Sequence, residues 1–136
     1  MATARVTKQL DVPADAAWAL VADFGNCDWI PGANAKIEGD GVGMVRVMAG
    51  TVRERLEEVD ESTRTLRYSI ADDGVPFPAK GYRATVRVDD APGGGTRIDW
   101  SCSFEPVGAS AEETRAKIEA MYGMLISWLD GALAGR

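Results

Sequence analysis

The stretch "DFGNCDWIPG", Asp23 to Gly32, sets a thiol, two carboxylates, an amide and two large aromatic rings within ten residues. Nucleophilic chemistry at Cys27 needs a general base, and the chain contains no histidine. Cys–His and Ser–His pairs are therefore excluded, as are histidine-based metal sites. The adjacent Asp28 disfavours a thiolate rather than promoting one. Cys27 and Cys102 are the only two cysteines. They make a poor zinc set and are expected as buried thiols, not a disulfide. Chemistry must then come from carboxylates, lysine, tyrosine or the shape of a pocket, and no cofactor or metal is expected. On this reading "DFGNCDWIPG" is wall. Phe24 and Trp29 pin a bend onto the open edge of a sheet, Trp29 faces a cavity, and Asp23, Asn26 and Asp28 take caps and solvent.

Glu54 lies between Val52 and Leu56 on the apolar side of an alternating segment, where an unpaired carboxylate is costly. Either it meets an arginine or a wet strand end, or it is a cavity carboxylate that acts as general acid or base or holds a ligand hydroxyl. Lys8 stands in the same predicament between Val6 and Leu10. A lysine there snorkels to water from a sheet edge, or else is a buried amine paired with a carboxylate or used in catalysis. Arg46, in "MVRVM", is solvated if Val45 and Val47 point inward. Tyr68, Tyr82 and Trp100 combine apolar bodies with hydrogen-bonding tips, a combination suited to orienting a ligand. Met121, Met124, Leu125 and Trp128 form a core stripe that can also supply a lid, methionine being adaptable. Phe77, held between Pro76 and Pro78, is a plug on a cavity mouth or an exposed interaction residue. The glycines Gly93–Gly95 lead into a strand and lack a following helix, so they are a hairpin turn and not a phosphate loop.

Composition limits the partners. The chain has 136 residues, 46% hydrophobic and 26% charged, the profile of one globular domain spanning 1–136. Its net charge of −6, with no basic cluster, repels nucleic acid and anionic membrane surfaces. No apolar run reaches the ~20 residues of a spanning helix, and "MATARVTKQLDV" has no signal-peptide core, so a cytoplasmic location without membrane insertion is expected. A homodimer is left open.

Periodicity supplies the elements that must position these side chains. Val6, Lys8, Leu10 and Val12 share one face of a first strand. Pro13 and "ADAAWALVADF" open a helix, and the residues after Trp29 permit a second short helical piece. From Lys36 to Glu105 the period is mainly two, with strands expected at Asn34–Glu38, Met44–Ala49, Thr51–Val59, Arg64–Ala71, Tyr82–Asp89 and Arg97–Glu105. "DDGVPFPAKG" is longer and stiffer than a hairpin needs. "SAEE" from Ser110 is a capping box, and the helix after it runs to about Ala132 with Ile118, Met121, Leu125, Trp128 and Ala132 on one face. The fold class is therefore α+β: a seven-stranded curved antiparallel sheet wrapped on a long C-terminal helix, with two short helices after the first strand. One helix covers so wide a sheet incompletely, which leaves a cavity between them.

Element order together with "DVPADAAWALVADFGNCDWIPG", "GVGMVRVM", "RERLEEVDESTRTLRYSI", "GVPFPAKGYRATVRV" and "GGTRIDWSCSFEP" resembles the START/Bet v1 helix-grip (SRPBCC) superfamily. Within it the chain is most similar to bacterial polyketide cyclase/dehydrase and lipid-transport-like proteins. The resemblance implies a hydrophobic cavity for a small organic, lipid- or polyketide-like ligand, closed by the C-terminal helix and the loops at one end of the sheet. It also favours the register that leaves Arg46 solvated. More distantly the chain resembles plant abscisic acid receptors, through "ERLEEVDE" and "GYRATVRV", which puts Glu54 and Tyr82 at pocket-lining positions. The basic anchor of those receptors falls near Ile30 and is missing, and a short "AG" turn replaces their gate loop, so neither that hormone nor their phosphatase partner is expected. The ligand-binding candidates are Trp29, Glu54, Tyr68, Phe77, Tyr82, Trp100, Met121 and Leu125, and the catalytic candidates are Glu54 and Tyr82. Three functions are compatible with this set. A carrier or sensor of a small hydrophobic molecule leads, because binding alone needs no histidine. A cyclase/aromatase-type enzyme would use Glu54 and a tyrosine to move protons. A protein-interaction module of the toxin or coenzyme-Q-chaperone type would show a large exposed apolar patch.

Overall fold

A computed structural model describes residues 1–134. The alternating N-terminus forms strand β1, Ala2–Leu10, and Pro13 takes the N-cap of helix α1, Ala14–Ala22. The meander follows as β2 (Lys36–Glu38), β3 (Val45–Met48), β4 (Val52–Asp60), β5 (Thr65–Ile70), β6 (Ala79–Asp90) and β7 (Thr96–Pro106). Helix α2, Ala111–Ala134, closes the fold. The seven strands make one antiparallel sheet in the order β1-β7-β6-β5-β4-β3-β2. Its inner face carries Leu66, Tyr68 and Ile70 of β5, Tyr82, Ala84, Val86 and Val88 of β6, and Ile98, Trp100, Cys102 and Phe104 of β7, all buried as the alternation predicts.

Three features differ from expectation. The second short helix after β1 is replaced by a chain of separate turns, with Asn26, Ile30 and Ala33 N–H groups donating to the carbonyls of Asp23, Cys27 and Ile30 at 2.9, 3.0 and 3.2 Å. Pro31 and two left-handed residues, Gly32 (φ 73°) and Asn34 (φ 45°), stop these bonds from propagating into a helix. Strand β6 starts at Ala79, and its ladder with β7 shifts between Lys80 and Arg83. This bulge at Gly81–Tyr82 turns Tyr82 inward after two exposed residues. On α2 the buried row is Thr114, Ile118, Tyr122, Ile126, Leu129 and Leu133. Met121, Leu125, Trp128 and Ala132 lie half-buried beside it, so the expected apolar face is rotated by about one residue, 100° on a helical wheel.

Half of the expected capping box on α2 forms: the Glu113 N–H donates to Ser110 Oγ at 3.1 Å, while the Glu113 carboxylate makes no return bond to the Ser110 N–H. Gly93–Gly95 is a hairpin turn closed by Ala91 N–H on the Gly95 carbonyl at 3.2 Å. Cys27 and Cys102 are free and buried. Lys8 is exposed, consistent with an edge lysine. Among the described residues no helix is long and apolar enough to cross a membrane.

Candidate functional site

Between the sheet and α2 lies a cavity of about 220 Å³, room for about seven waters at roughly 30 Å³ each and smaller than the roughly 300–1,000 Å³ usual for ligand sites. The inner faces of β4, β5 and β6 give it Val52, Glu54, Tyr68, Ile70 and Tyr82, and α2 gives it Met121, Tyr122, Leu125 and Trp128. Its rim is three connections: Ile30–Ala33 after α1, Met48 and Ala49 at the β3–β4 turn, and Pro76–Phe77 before β6. The first two are tied together by Ala49 N–H on the Ala33 carbonyl at 2.7 Å.

Of the sequence candidates, Glu54, Tyr68, Phe77, Tyr82, Met121 and Leu125 meet here. Phe77 is half-buried with its ring 6.2 Å from that of Tyr82, the plug position and not a free surface one. Trp29 and Trp100 are elsewhere. Trp100 is one layer behind, stacked on Tyr122 at 5.5 Å and donating from Nε1 to Tyr68 Oη at 3.1 Å. Trp29 packs on the edge of the core, and its Nε1 is sealed from solvent without a partner. Sequence reasoning missed Tyr122 as a lining residue; its position one before the Gly123 break in the apolar stripe was the available signal.

The polar floor of the cavity is Glu54, which is one half of an ion pair. Glu54 and Arg46 sit directly opposite each other on β4 and β3, and Arg46 Nε meets Glu54 Oε1 at 2.5 Å. Both are buried, Arg46 at 5% and Glu54 at 6% exposure, which overturns the expectation that Arg46 is solvated. The reason is turn length. A two-residue "AG" turn pairs Met48 with Thr51 and sends Arg46 outward opposite Arg53. The observed register pairs Met48 with Val52, and one residue of slip moves Arg46 to the inner face.

"DFGNCDWIPG" builds the rest of the arginine's cage. The guanidinium lies 3.9 Å from the centroid of the Phe24 ring and donates from Nη1 to the Phe24 carbonyl at 3.2 Å, with Cys27 Sγ at 4.0 Å. Burial pulls the Arg46 pKa down, but the facing Glu54 carboxylate, together with Tyr68 and Cys27, more than reverses this and holds the guanidinium charged. Burial likewise pushes the Cys27 thiol up, with Asp28 the smallest contributor in the same direction. An elevated thiol pKa suits a wall and not a nucleophile.

The tyrosines are held neutral. Burial drives the pKa of Tyr68, Tyr82 and Tyr122 well above the usual phenol value. The Tyr82 and Tyr122 hydroxyls hydrogen-bond each other. These groups can give a hydrogen bond or a proton but do not serve as bases at neutral pH. Among the described residues no group of three or more His, Cys, Asp and Glu could hold a metal ion.

Comparison with known proteins decides the family. The sequence model of a family described as "Polyketide cyclase / dehydrase and lipid transport" matches residues 1–132. The chain belongs to this family. Solved structures agree with the polyketide cyclase/dehydrase and lipid-transport fold. The protein XoxI from Bacillus cereus superposes with a TM-score of 0.84 at 26% identity, covering 98% of this chain and 96% of its own. An uncharacterized Bacillus thuringiensis protein gives 0.85 at 25% identity, with 98% and 99% covered. Ara h 8.0201 gives 0.78 at 20% identity, with 98% of each chain covered, and shows the Bet v1-like fold alone. No curated protein matches the chain. The family and the fold together indicate hydrophobic ligand binding.

Proposed function

We propose that the protein is a carrier or sensor that takes one small, largely apolar, lipid- or polyketide-like molecule into the cavity under α2. The observation that carries this reading is the lining itself: Ile30, Met48, Val52, Ile70, Phe77, Met121, Leu125 and Trp128 surround the space under α2, with Glu54 and the tyrosines among its polar residues. Apolar burial supplies affinity at roughly 25 cal/mol per Å², and the few polar atoms supply orientation. Native mass spectrometry of freshly purified protein is expected to show a retained small molecule. Leu125→Trp, which fills the cavity from α2, is expected to abolish both that adduct and saturable binding of an apolar probe. Binding that survives this substitution unchanged would place the ligand elsewhere.

A second reading, a cyclase-type enzyme, draws support from Glu54 and Tyr82 lining the same cavity. In it Glu54 removes a proton from the folded chain of the substrate while Tyr82, held neutral, donates to the developing oxyanion. Turnover of a polyketide-like substrate that is lost in Tyr82→Phe would select this reading; saturable binding without product selects the carrier. For an interaction module the exposed large apolar side chains lie on different elements: Met1 precedes β1, Ile37 is on β2, Val42 on the following turn, Val107 after β7 and Met124 on α2.

A further inference from the structure

The cavity's polar atoms are unequal in a way that bears on what enters it. Arg46 is the buried cation beside the cavity, and its charge is already taken by Glu54 Oε1. Its Nη1 contacts are to Phe24 and Cys27 in the wall, its Nη2 has no hydrogen-bond partner among the described residues, and Arg46 itself does not line the cavity. Glu54 does line it, and its Oε2 also has no hydrogen-bond partner among the described residues. The only side-chain polar atom there that is both sealed and unpartnered is Trp29 Nε1. Oε2 of the lining residue Glu54 therefore opens on the cavity. The hydroxyls of Tyr82 and Tyr122 share one hydrogen bond and Tyr68 Oη accepts from Trp100, so the phenols, like the indole N–H of the lining residue Trp128, are donors, and Glu54 Oε2 is the charged acceptor of the lining.

Resting on the carrier reading above, we propose that the Arg46–Glu54 pair is a polarity selector. It makes the cavity take molecules whose polar end is an uncharged hydrogen-bond donor, an alcohol or phenol, and refuse carboxylates of the same size. The open oxygen is an acceptor bearing negative charge, so a hydroxyl donates to it, and a carboxylate is repelled. Because Arg46 already neutralises the pair, a positive charge on the ligand is not required. A site built around a hydrogen bond also rejects the analogue that lacks the donor, since the buried oxygen is then left dry and unpaired.

The test is a calorimetric titration of the whole protein at neutral pH with octanol, with its isomer heptyl methyl ether, and with octanoate. Octanol is expected to bind about tenfold or more tighter than either of the other two, the usual size of a hydrogen bond to a charged group. Glu54→Gln keeps the shape and removes the negative charge, so octanoate is expected to gain about tenfold or more relative to octanol. In the double variant Arg46→Met, Glu54→Leu, which replaces the pair by apolar side chains of similar bulk and so preserves folding, octanol and its ether are expected to bind within about twofold of each other. Equal binding of the three probes to the unaltered protein, or an unchanged order in both variants, overturns the selector and leaves the carrier reading standing. Failure of every probe to bind the unaltered protein overturns the carrier reading and the selector with it.

Discussion

The Arg46–Glu54 pair is an expensive feature to bury, and its surroundings account for how it persists. The guanidinium has a ring face, a carbonyl and a carboxylate as neighbours, so its charge is compensated on several sides. Removing one partner leaves the other charged and unpaired in the core. Arg46→Met or Glu54→Leu alone is expected to lower the unfolding free energy in urea by about 3–5 kcal/mol, whereas the double variant falls within about 1 kcal/mol of the unaltered protein. A double variant as unstable as the singles would show that the pair does more than satisfy itself. At this scale Glu54 was legible because a carboxylate stood in an apolar row, and the ion-pair reading of it holds. Arg46 was not, because its side depends on whether the β3–β4 turn has two residues or three. Trp100 was placed on the correct face of β7 but one layer too near the cavity, since alternation assigns a face and not a depth.

Among elements, α2 and the segment before β6 matter most to the cavity, and their glycines behave oppositely. A Cβ on Gly123, in the middle of α2, meets nothing within 4 Å. Gly123→Ala removes backbone freedom from the unfolded chain and is expected to stabilise by about 0.5–1 kcal/mol. Gly74 ends the 3-10 turn Asp72–Gly74, and a Cβ there would lie 2.6 Å from the Thr51 carbonyl oxygen. That turn also holds the β6 bulge, through Gly81 N–H on Asp72 Oδ1 at 2.8 Å. Gly74→Ala is therefore expected to cost about 1–3 kcal/mol and to shift the amide signals of Gly81 and Tyr82, both read by urea unfolding and NMR. The strands and the long helix were legible from periods of two and 3.6. The second short helix was not, because single turns and a helix start from the same residues, and only Pro31, Gly32 and Asn34 decide between them. The rotated face of α2 escaped for a related reason. Apolar residues occur all round its second half, and the sheet, not the sequence, selects which row is buried.

At the scale of the whole molecule, one helix across seven strands leaves space, and the chain fills most of it with its tyrosines. All three tyrosines of the sequence, Tyr68, Tyr82 and Tyr122, are buried in this layer, and burial raises each pKa. Cys27 and Cys102 are raised by burial as well. A folded state that holds protons more tightly than the unfolded chain loses stability as pH rises. The loss begins above about pH 8.5, where unfolded thiols ionise, and steepens above about pH 10, where unfolded phenols do. Each tyrosine contributes a slope of about 1.4 kcal/mol per pH unit, so the three together approach about 4 kcal/mol per unit. Because no tyrosine lies outside this layer, tyrosinate absorbance reports on it alone. In an alkaline titration that absorbance is expected to stay flat through about pH 10 and then to appear in one cooperative step, coincident with loss of circular dichroism. Ionisation near pH 10 in a protein that keeps its circular dichroism would mean that water reaches the phenol hydroxyls, and a cavity that wet would not favour an apolar guest.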